Sequence, residues 1–437
     1  MNIKTFILSC LLAIIAIHAN AEDVDFVVDG LGYRITSTTD LTVEVVQGPD
    51  LAVVTVPSTV VFNKRTFRVK GIGSWAFSYR NNLESIDMPS ITDIPEGTFW
   101  HCSHLTHVNM PAVKHIGVGA FYSCSSLPSV DLPVATSIGD SAFYDCEALT
   151  SLSMPAATSI GESAFYECYA LTSVSLPAAT SIGSGAFYSC LRLTGVDMPA
   201  ATSIGESAFY KCYALTSVSL PAATSIVNCA FYDCGALTSV SLPAATSIGS
   251  GAFYSCWRLT GVDMPAATSI GNNAFYNCGA LTSVSMPAAT SIGNGAFEYC
   301  ASLCDIYVGE QPAVFKLIDN DPPFDKVTYA TATLHVPTGC APKYKAANIW
   351  KNFNFISEDY NPTGIKSTKD DNVKIHTDNG YVQLTGLKER EKVEFYSISG
   401  QLLGAPIANG GTVSIKTSEH VVICKMGEAS IKILVKK

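Results

Sequence analysis

Charge is scarce in this chain. Only 15% of its 437 residues are Asp, Glu, Lys or Arg, against 48% hydrophobic residues, and 27 Lys and Arg face 37 acids for a formal net charge of −10. The absence of a basic excess to release counterions argues against nonspecific binding to nucleic acid or to anionic membrane, and basic partners are mildly favoured. Long apolar runs are scarce too. The one present, Phe6 to Ile17 in "MNIKTFILSCLLAIIAIHANA", follows Lys4 and precedes Ala19 and Ala21 in the small-residue spacing of a signal peptidase site. Residues 1–21 are therefore expected to be a signal peptide, with the mature chain starting at Glu22 and having no membrane span of its own. Catalytic signatures are also missing: no Gly-x-Ser-x-Gly elbow comes with a histidine and an acid, and the "GLG" and "GIG" pieces are too short to cradle a phosphate. No enzymatic activity, cofactor or metal is expected.

What is abundant is repetition. "SIGSGAFYSCLRLTGVDMPAATSIG" begins at Ser181 and returns at Ser247 with one change, Leu191 becoming Trp257. Inside that 66-residue copy lies a shorter period of 22. Phe77, Phe99, Phe121, Phe143, Phe165, Phe187, Phe209, Phe231, Phe253, Phe275 and Phe297 follow it without an insertion, and a leucine sits six residues after each, from Leu83 to Leu303. Such strictness marks one structural unit stacked many times. In "LTSVSLPAATSIGSGAFYSCLR" the alternating Val174 and Leu176 suit a short strand with one buried face, and Pro177, lacking an N–H, ends it. The "xxAFxxC" portion reads as a brief helical or irregular turn on the convex side. A unit this short cannot enclose a core alone, so neighbours must complete both ladder and core. Eleven coils at about 4.8 Å give a body roughly 50 Å long. A glycine column passes through Gly183, but Pro95 and Val227 occupy it elsewhere. Neither tolerates positive φ, so the glycines there are expected to provide room rather than an unusual conformation.

These residues carry a resemblance. Leu-x-x-Val-x-Leu-Pro followed by "TSIGxxAFxxC" closely resembles the BspA-like subfamily of leucine-rich repeats, found in secreted and surface proteins of Bacteroidetes and some mucosal parasites; the match runs from about Gly71 to Val308. It implies an α/β leucine-rich repeat solenoid of 22-residue coils with short parallel strands (71–308). A β-rich N-terminal cap (22–70) precedes it, and a mixed C-terminal cap (309–360) follows, in which Pro342 starts a helix bearing Tyr344, Ala347 and Trp350. Alternating runs in 361–437 read as a small β-sandwich. There "VEFYSISGQLL" and "ASIKILVKK" resemble the C-terminal sorting domain of the type IX secretion system, while "EHVVICKMG" departs from the glycine and tyrosine usual before its penultimate strand.

Candidate sites follow from the columns. Ten cysteines, Cys102 to Cys300, share one column. Side chains stacked in parallel at about 4.8 Å do not meet the closer, turned geometry of a disulfide, so buried free thiols are expected. "HCSHLTH" holds His101, His104 and His107, near His115, but a three-residue spacing does not fit a strand face, and exposed polar residues are expected rather than zinc ligands. "DNDPPFD" lacks the glycine and the terminal glutamate of a calcium loop.

Two surfaces remain as binding candidates. Eight tyrosines follow the phenylalanines, Tyr166, Tyr188 and Tyr210 among them, as a stripe that either stacks on itself or offers a platform to sugar rings or a partner chain. The concave strand face presents small hydroxyls such as Ser173 and Ser175, interrupted by acids including Asp197 and Asp263. The family resemblance implies an exported, cell-surface binding protein, an adhesin toward host extracellular-matrix proteins or glycans. The alternative is a structural surface coat with no specific ligand.

Overall fold

The computed structural model describes residues 24–315, 322–360, 374–378, 381–397, 402–417, 421–426 and 429–434; the expected signal peptide lies outside them. The chain divides into two compact units, one running to Ile306 together with Ala313–Ala332, the other formed by Tyr307–Pro312 and the chain from Thr333 onward.

The first unit is a parallel β-solenoid of 22-residue coils, and among its described residues helix is confined to Lys326–Thr331. Each coil carries the anticipated short strand, as in Ser173–Ser175 and Gly195–Asp197, which pair in parallel register. A second strand per coil went unread: the Ser-Ile pair after "AAT" forms a continuous eleven-stranded parallel sheet from Asp93–Ile94 to Val314–Phe315. The three-residue ladder begins early, with Val53–Thr55 pairing in parallel with Ser85–Asp87. A separate mixed sheet joins Phe26–Val28, Leu31–Ser37, Thr42–Gln47, Arg65–Ile72 and Thr59–Phe62, with Tyr33, Phe67, Val43 and Val45 buried. The ladder breaks between His107–Asn109 and Ser129–Asp131 and again between Ser151–Ser153 and Ser173–Ser175. At the first break Pro128 stands where other coils have a threonine, and so withdraws the N–H that would reach back to the coil before.

The "xxAFxxC" segment forms no helix. Each coil holds two residues at positive φ around its phenylalanine, such as Ser163 (54°) and Glu167 (59°) around Phe165, or Ser207 (56°) and Lys211 (59°) around Phe209. This conformation turns every second N–H along the solenoid axis. Ser163, Phe165 and Glu167 donate to Ser184, Ala186 and Tyr188 of the next coil at 2.8 Å each. Left-handed residues other than glycine cost about 1–2 kcal/mol each, and the inter-coil bonds offset that.

The core is a set of columns. Phenylalanines stack at 5.0–5.4 Å from Phe77 onward, and Phe324 prolongs the column beyond Phe297. At the N-terminal end Gly48 closes it: a Cβ there would lie 2.1 Å from the Phe77 ring. All ten column cysteines are free and buried, and each thiol donates to the phenylalanine carbonyl of the preceding coil, as Cys190 Sγ does to Phe165 O at 3.2 Å. Burial raises these thiol pKa values, Cys102 and Cys300 to about 12. Neither Gly183 nor Val227 has positive φ. A Cβ on Gly183 would come within 2.5 Å of the Gly161 backbone, so the column provides room. Its glycine amides donate to the preceding isoleucine carbonyl, as Gly183 does to Ile160 O at 2.9 Å, and the equivalent bond from Val227 to Ile204 is missing among the described residues.

In the second unit the expected helix is shorter than the sequence implied. It spans Ala341–Ala346 with Pro342 in its first turn; Ala347 is its C-cap, and Trp350 opens a separate 3₁₀ turn, Trp350–Asn352. Tyr344 is fully buried and its hydroxyl donates to the carbonyls of Gly309 (2.9 Å) and Gln311 (3.1 Å). Two small antiparallel sheets follow. Lys374–Asp378, Tyr381–Thr385 and Thr412–Lys416 form one; Leu402–Gly404, Val393–Ser397, Val421–Met426 and Ala429–Leu434 form the other. Val382, Leu384, Val393, Phe395, Val413 and Val422 make their shared core.

Two outcomes test this packing. The Val227 amide should exchange with solvent faster than those of Gly205 and Gly249, and Gly183→Val should destabilise the protein by about 2–4 kcal/mol through overpacking and one lost hydrogen bond. Equal exchange at the three amides would contradict the steric reading. In alkylation of the native protein, Cys229 and Cys304 should react while the ten column thiols react only after unfolding; mass shifts showing paired column cysteines would overturn the thiol ladder.

Candidate functional site

Regular stacking turns each exposed column into a straight row. On the face expected to be concave, Ser173 is in register with Gly195, and Ser175 with Asp197, which is followed by Ser219. Ser173, Ser175 and Asp197 are exposed and adjacent. Asp263 lies three coils further along, between Ser241 and Ser285, and is half-buried. The structure therefore brings three of these four residues together. A threonine row borders the face, the hydroxyls of Thr150, Thr172, Thr194, Thr216, Thr238, Thr260 and Thr282 each donating to the carbonyl 22 residues earlier at 2.9–3.2 Å. Cys304 extends the row, its sulfur taking the hydroxyl's place 3.3 Å from Thr282 O.

The tyrosines form the expected stripe. From Tyr122 to Tyr276 neighbouring rings are 4.5–4.7 Å apart and nearly parallel, and Tyr166, Tyr188 and Tyr210 are consecutive, half-buried members. Trp100 continues the stack at 3.9 Å from Tyr122. Burial, followed by the neighbouring tyrosines, raises the hydroxyl pKa values, to about 12 at Tyr232 and Tyr276.

The histidines go to four settings. His101 stacks on Tyr79, His104 Nδ1 meets Asn81 O at 2.6 Å, His107 sits in a strand, and His115 Nδ1 meets Ser137 Oγ at 2.8 Å. Among the described residues no three His, Cys, Asp or Glu side chains are grouped to hold a metal ion. Of "DNDPPFD", residues 319–321 lie outside the described residues, and Asp325 caps the helix Lys326–Thr331 by accepting from Thr328 N at 2.7 Å. No helix among the described residues is long and apolar enough to cross a membrane.

One surface escaped the sequence reading: the column just after the cysteines, where Leu191, Tyr213 and Trp257 are exposed by 36%, 42% and 47%. The single difference between the two 25-residue copies falls on it. That difference was the available signal.

Comparison with known proteins agrees with this architecture. The family model for the BspA type leucine rich repeat region, in six copies, matches residues 58–137, 94–214, 136–244 and 202–317, together more than half of the chain. Similar solved structures include a leucine-rich repeat protein from Bacteroides ovatus (25% identity, covering 68% of this chain and 100% of that one, TM-score 0.40). A leucine rich cell surface protein from Faecalibacterium prausnitzii is 23% identical, with 66% and 96% covered and a TM-score of 0.42. The pneumococcal vaccine antigen PcpA is 18% identical, with 77% and 98% covered and a TM-score of 0.42. No curated protein sequence matches the chain.

The raised thiol and tyrosine pKa values give a pH dependence. Above about pH 9 the unfolded chain releases thiol protons, and above about pH 10 tyrosine protons, that the folded chain retains. The unfolded state then binds fewer protons, so stability is full below pH 9 and falls as pH rises toward 12. Denaturant midpoints should decline across that window while tyrosinate absorbance of the folded protein lags that of the unfolded chain; a flat midpoint would contradict the shifts.

Proposed function

We propose that this chain, which belongs to the BspA-type leucine-rich repeat family, is an exported, surface-displayed binding protein, an adhesin that docks a host extracellular-matrix protein or glycan along its three-residue strand face. The observation that carries this reading is the register of that face. From Ser173–Ser175 to Ser283–Met286, parallel strands hold small polar side chains in straight rows, with Asp197 and Asp263 as fixed acids. Such a face loses little conformational freedom on binding, because its backbone is held on both sides. Its hydroxyls and carboxylates suit hydrogen bonding to polar groups, and the acids favour a partner carrying basic residues. No catalytic residue enters the reading. Export rests on the N-terminal apolar segment, and the resemblance of the C-terminal module to a sorting domain supports a role for it in secretion or anchoring.

A second reading places the partner on the tyrosine stripe, favoured by the tyrosines' mixture of apolar face and polar tip. The mature full-length protein, screened on arrayed extracellular-matrix proteins, mucins and glycans, separates the two. With a captured partner, Ser173→Arg, Ser175→Arg and Asp197→Arg together should weaken binding about tenfold or more by steric and charge conflict, while Tyr166→Ser, Tyr188→Ser and Tyr210→Ser together leave it. Added salt should weaken the wild-type complex. Exchange of behaviour between the two variants would move the site to the stripe, and no binding across the arrays would favour the coat.

A further inference from the structure

The column after the cysteines runs Tyr169, Leu191, Tyr213, Gly235, Trp257, Gly279, so aromatic rings fall on alternate coils. Alternation matters because a large ring can lie down only where its neighbour is small. A Cβ on Gly235 would stand 2.2 Å from the Trp257 ring, so the indole rests against the bare Gly235 backbone while the residue stays 47% exposed. Tyr213 is 42% exposed and Tyr169 half-buried beside Glu167. Backbone positions two coils apart are separated by roughly 9–10 Å, twice the strand spacing, which is close to the repeat of one disaccharide in an extended β-linked glycan.

Charge adds a second observation. Between His115 and Val308 the chain has three lysines and arginines, and all three adjoin this row: Arg192 follows Leu191, Lys211 precedes Tyr213 by two residues, and Arg258 follows Trp257. Arg192 and Arg258 are exposed, and among the described residues neither makes an ion pair or a side-chain hydrogen bond. Lys211 reaches over the Tyr210 ring at 5.6 Å. In an acidic molecule, cations concentrated beside exposed rings complement a ligand that is both flat-faced and anionic.

We propose that the row Tyr169, Tyr213 and Trp257, with Arg192, Lys211 and Arg258, is a binding site for a linear acidic glycan, distinct from the serine face. Pyranose rings carry C–H groups on their flat faces that pack on Tyr and Trp, as bases and other flat ligands do. The guanidinium forks of Arg192 and Arg258 pair with carboxylate or sulfate groups along the chain. The ligand runs parallel to the solenoid axis, crossing coils rather than following one.

Calorimetry on the full-length mature protein tests this with hexasaccharides of heparin (sulfated and uronate-bearing), of alginate (uronate only) and of cellulose (neutral). At least one acidic chain should bind about tenfold more tightly than the neutral one, and the better of the two identifies the anion. Trp257→Leu, which writes the first copy's residue into the second and so keeps the fold, should weaken that binding about tenfold. Arg192→Gln with Arg258→Gln should erase the preference for the acidic chain, and a charge-preserving serine-face variant, Ser173→Gln with Ser175→Gln, should bind the glycan as wild type does. Equal binding of the neutral chain, no binding of either acidic chain, or an unaffected Trp257→Leu would overturn the proposal. So would binding of polyglutamate as tight as that of the glycan, since rings would then contribute nothing. The strand-face reading is untouched by each of these results.

Discussion

Every coil must meet its neighbours at one strand spacing around its whole circumference, because its backbone polar groups find their partners in the coils before and after it. The packing of the solenoid follows from that constraint. Where the backbone is extended, ordinary parallel pairing meets it. Where it must turn a corner, left-handed residues such as Ser163 and Glu167 rotate their N–H groups onto the solenoid axis. Where side chains would hold the coils apart, glycines such as Gly183 remove them. Where a carbonyl is left inside, a cysteine thiol reaches it, small enough to fit and polar enough to donate. Repetition of the sequence is thus repetition of a contact surface, each coil being the template for the next.

Much of this was legible in the letters, and the parts that were not have physical reasons. The Phe, Leu and Cys columns announced their burial because a side chain stacked on itself at fixed spacing has one chemical environment. The glycine column could be read as room rather than conformation because Pro95 and Val227 share it. The Ser-Ile strands were missed because two residues are too short to show alternation. The left-handed position two residues after each phenylalanine was missed for a different reason. It is filled by Asp145, Glu167, Lys211 and others, never by glycine, so the usual sign of positive φ is absent and the inter-coil bonds impose the conformation. The helix at Pro342 ended early because Ala347 turns extended and its N–H bonds back to Tyr344. Of the candidate residues, Ser173, Ser175 and Asp197 converge, as do Tyr166, Tyr188 and Tyr210, because residues one period apart must become neighbours. Asp263 stands apart because it is three periods from Asp197.

A core that fixes spacing so strictly leaves variation to the outside. The change from Leu191 to Trp257 is tolerated because Gly235, where the earlier copy has Tyr169, makes way for the larger ring. Charge behaves in the same way, appearing on the rim and the strand face while the interior columns stay apolar. A rigid repeating body thus carries its few altered letters at regular intervals on its surface.

Nearest-neighbour stacking is the central claim, and hydrogen exchange on Phe187→Ala in the full-length protein tests it most directly. Removing one ring from the middle of the phenylalanine column costs about 3–5 kcal/mol. If coils couple only to adjacent coils, protection should fall first in the coils around Phe187 and stay near wild type at Phe99 and Phe275. Uniform loss of protection along the whole solenoid would contradict the account.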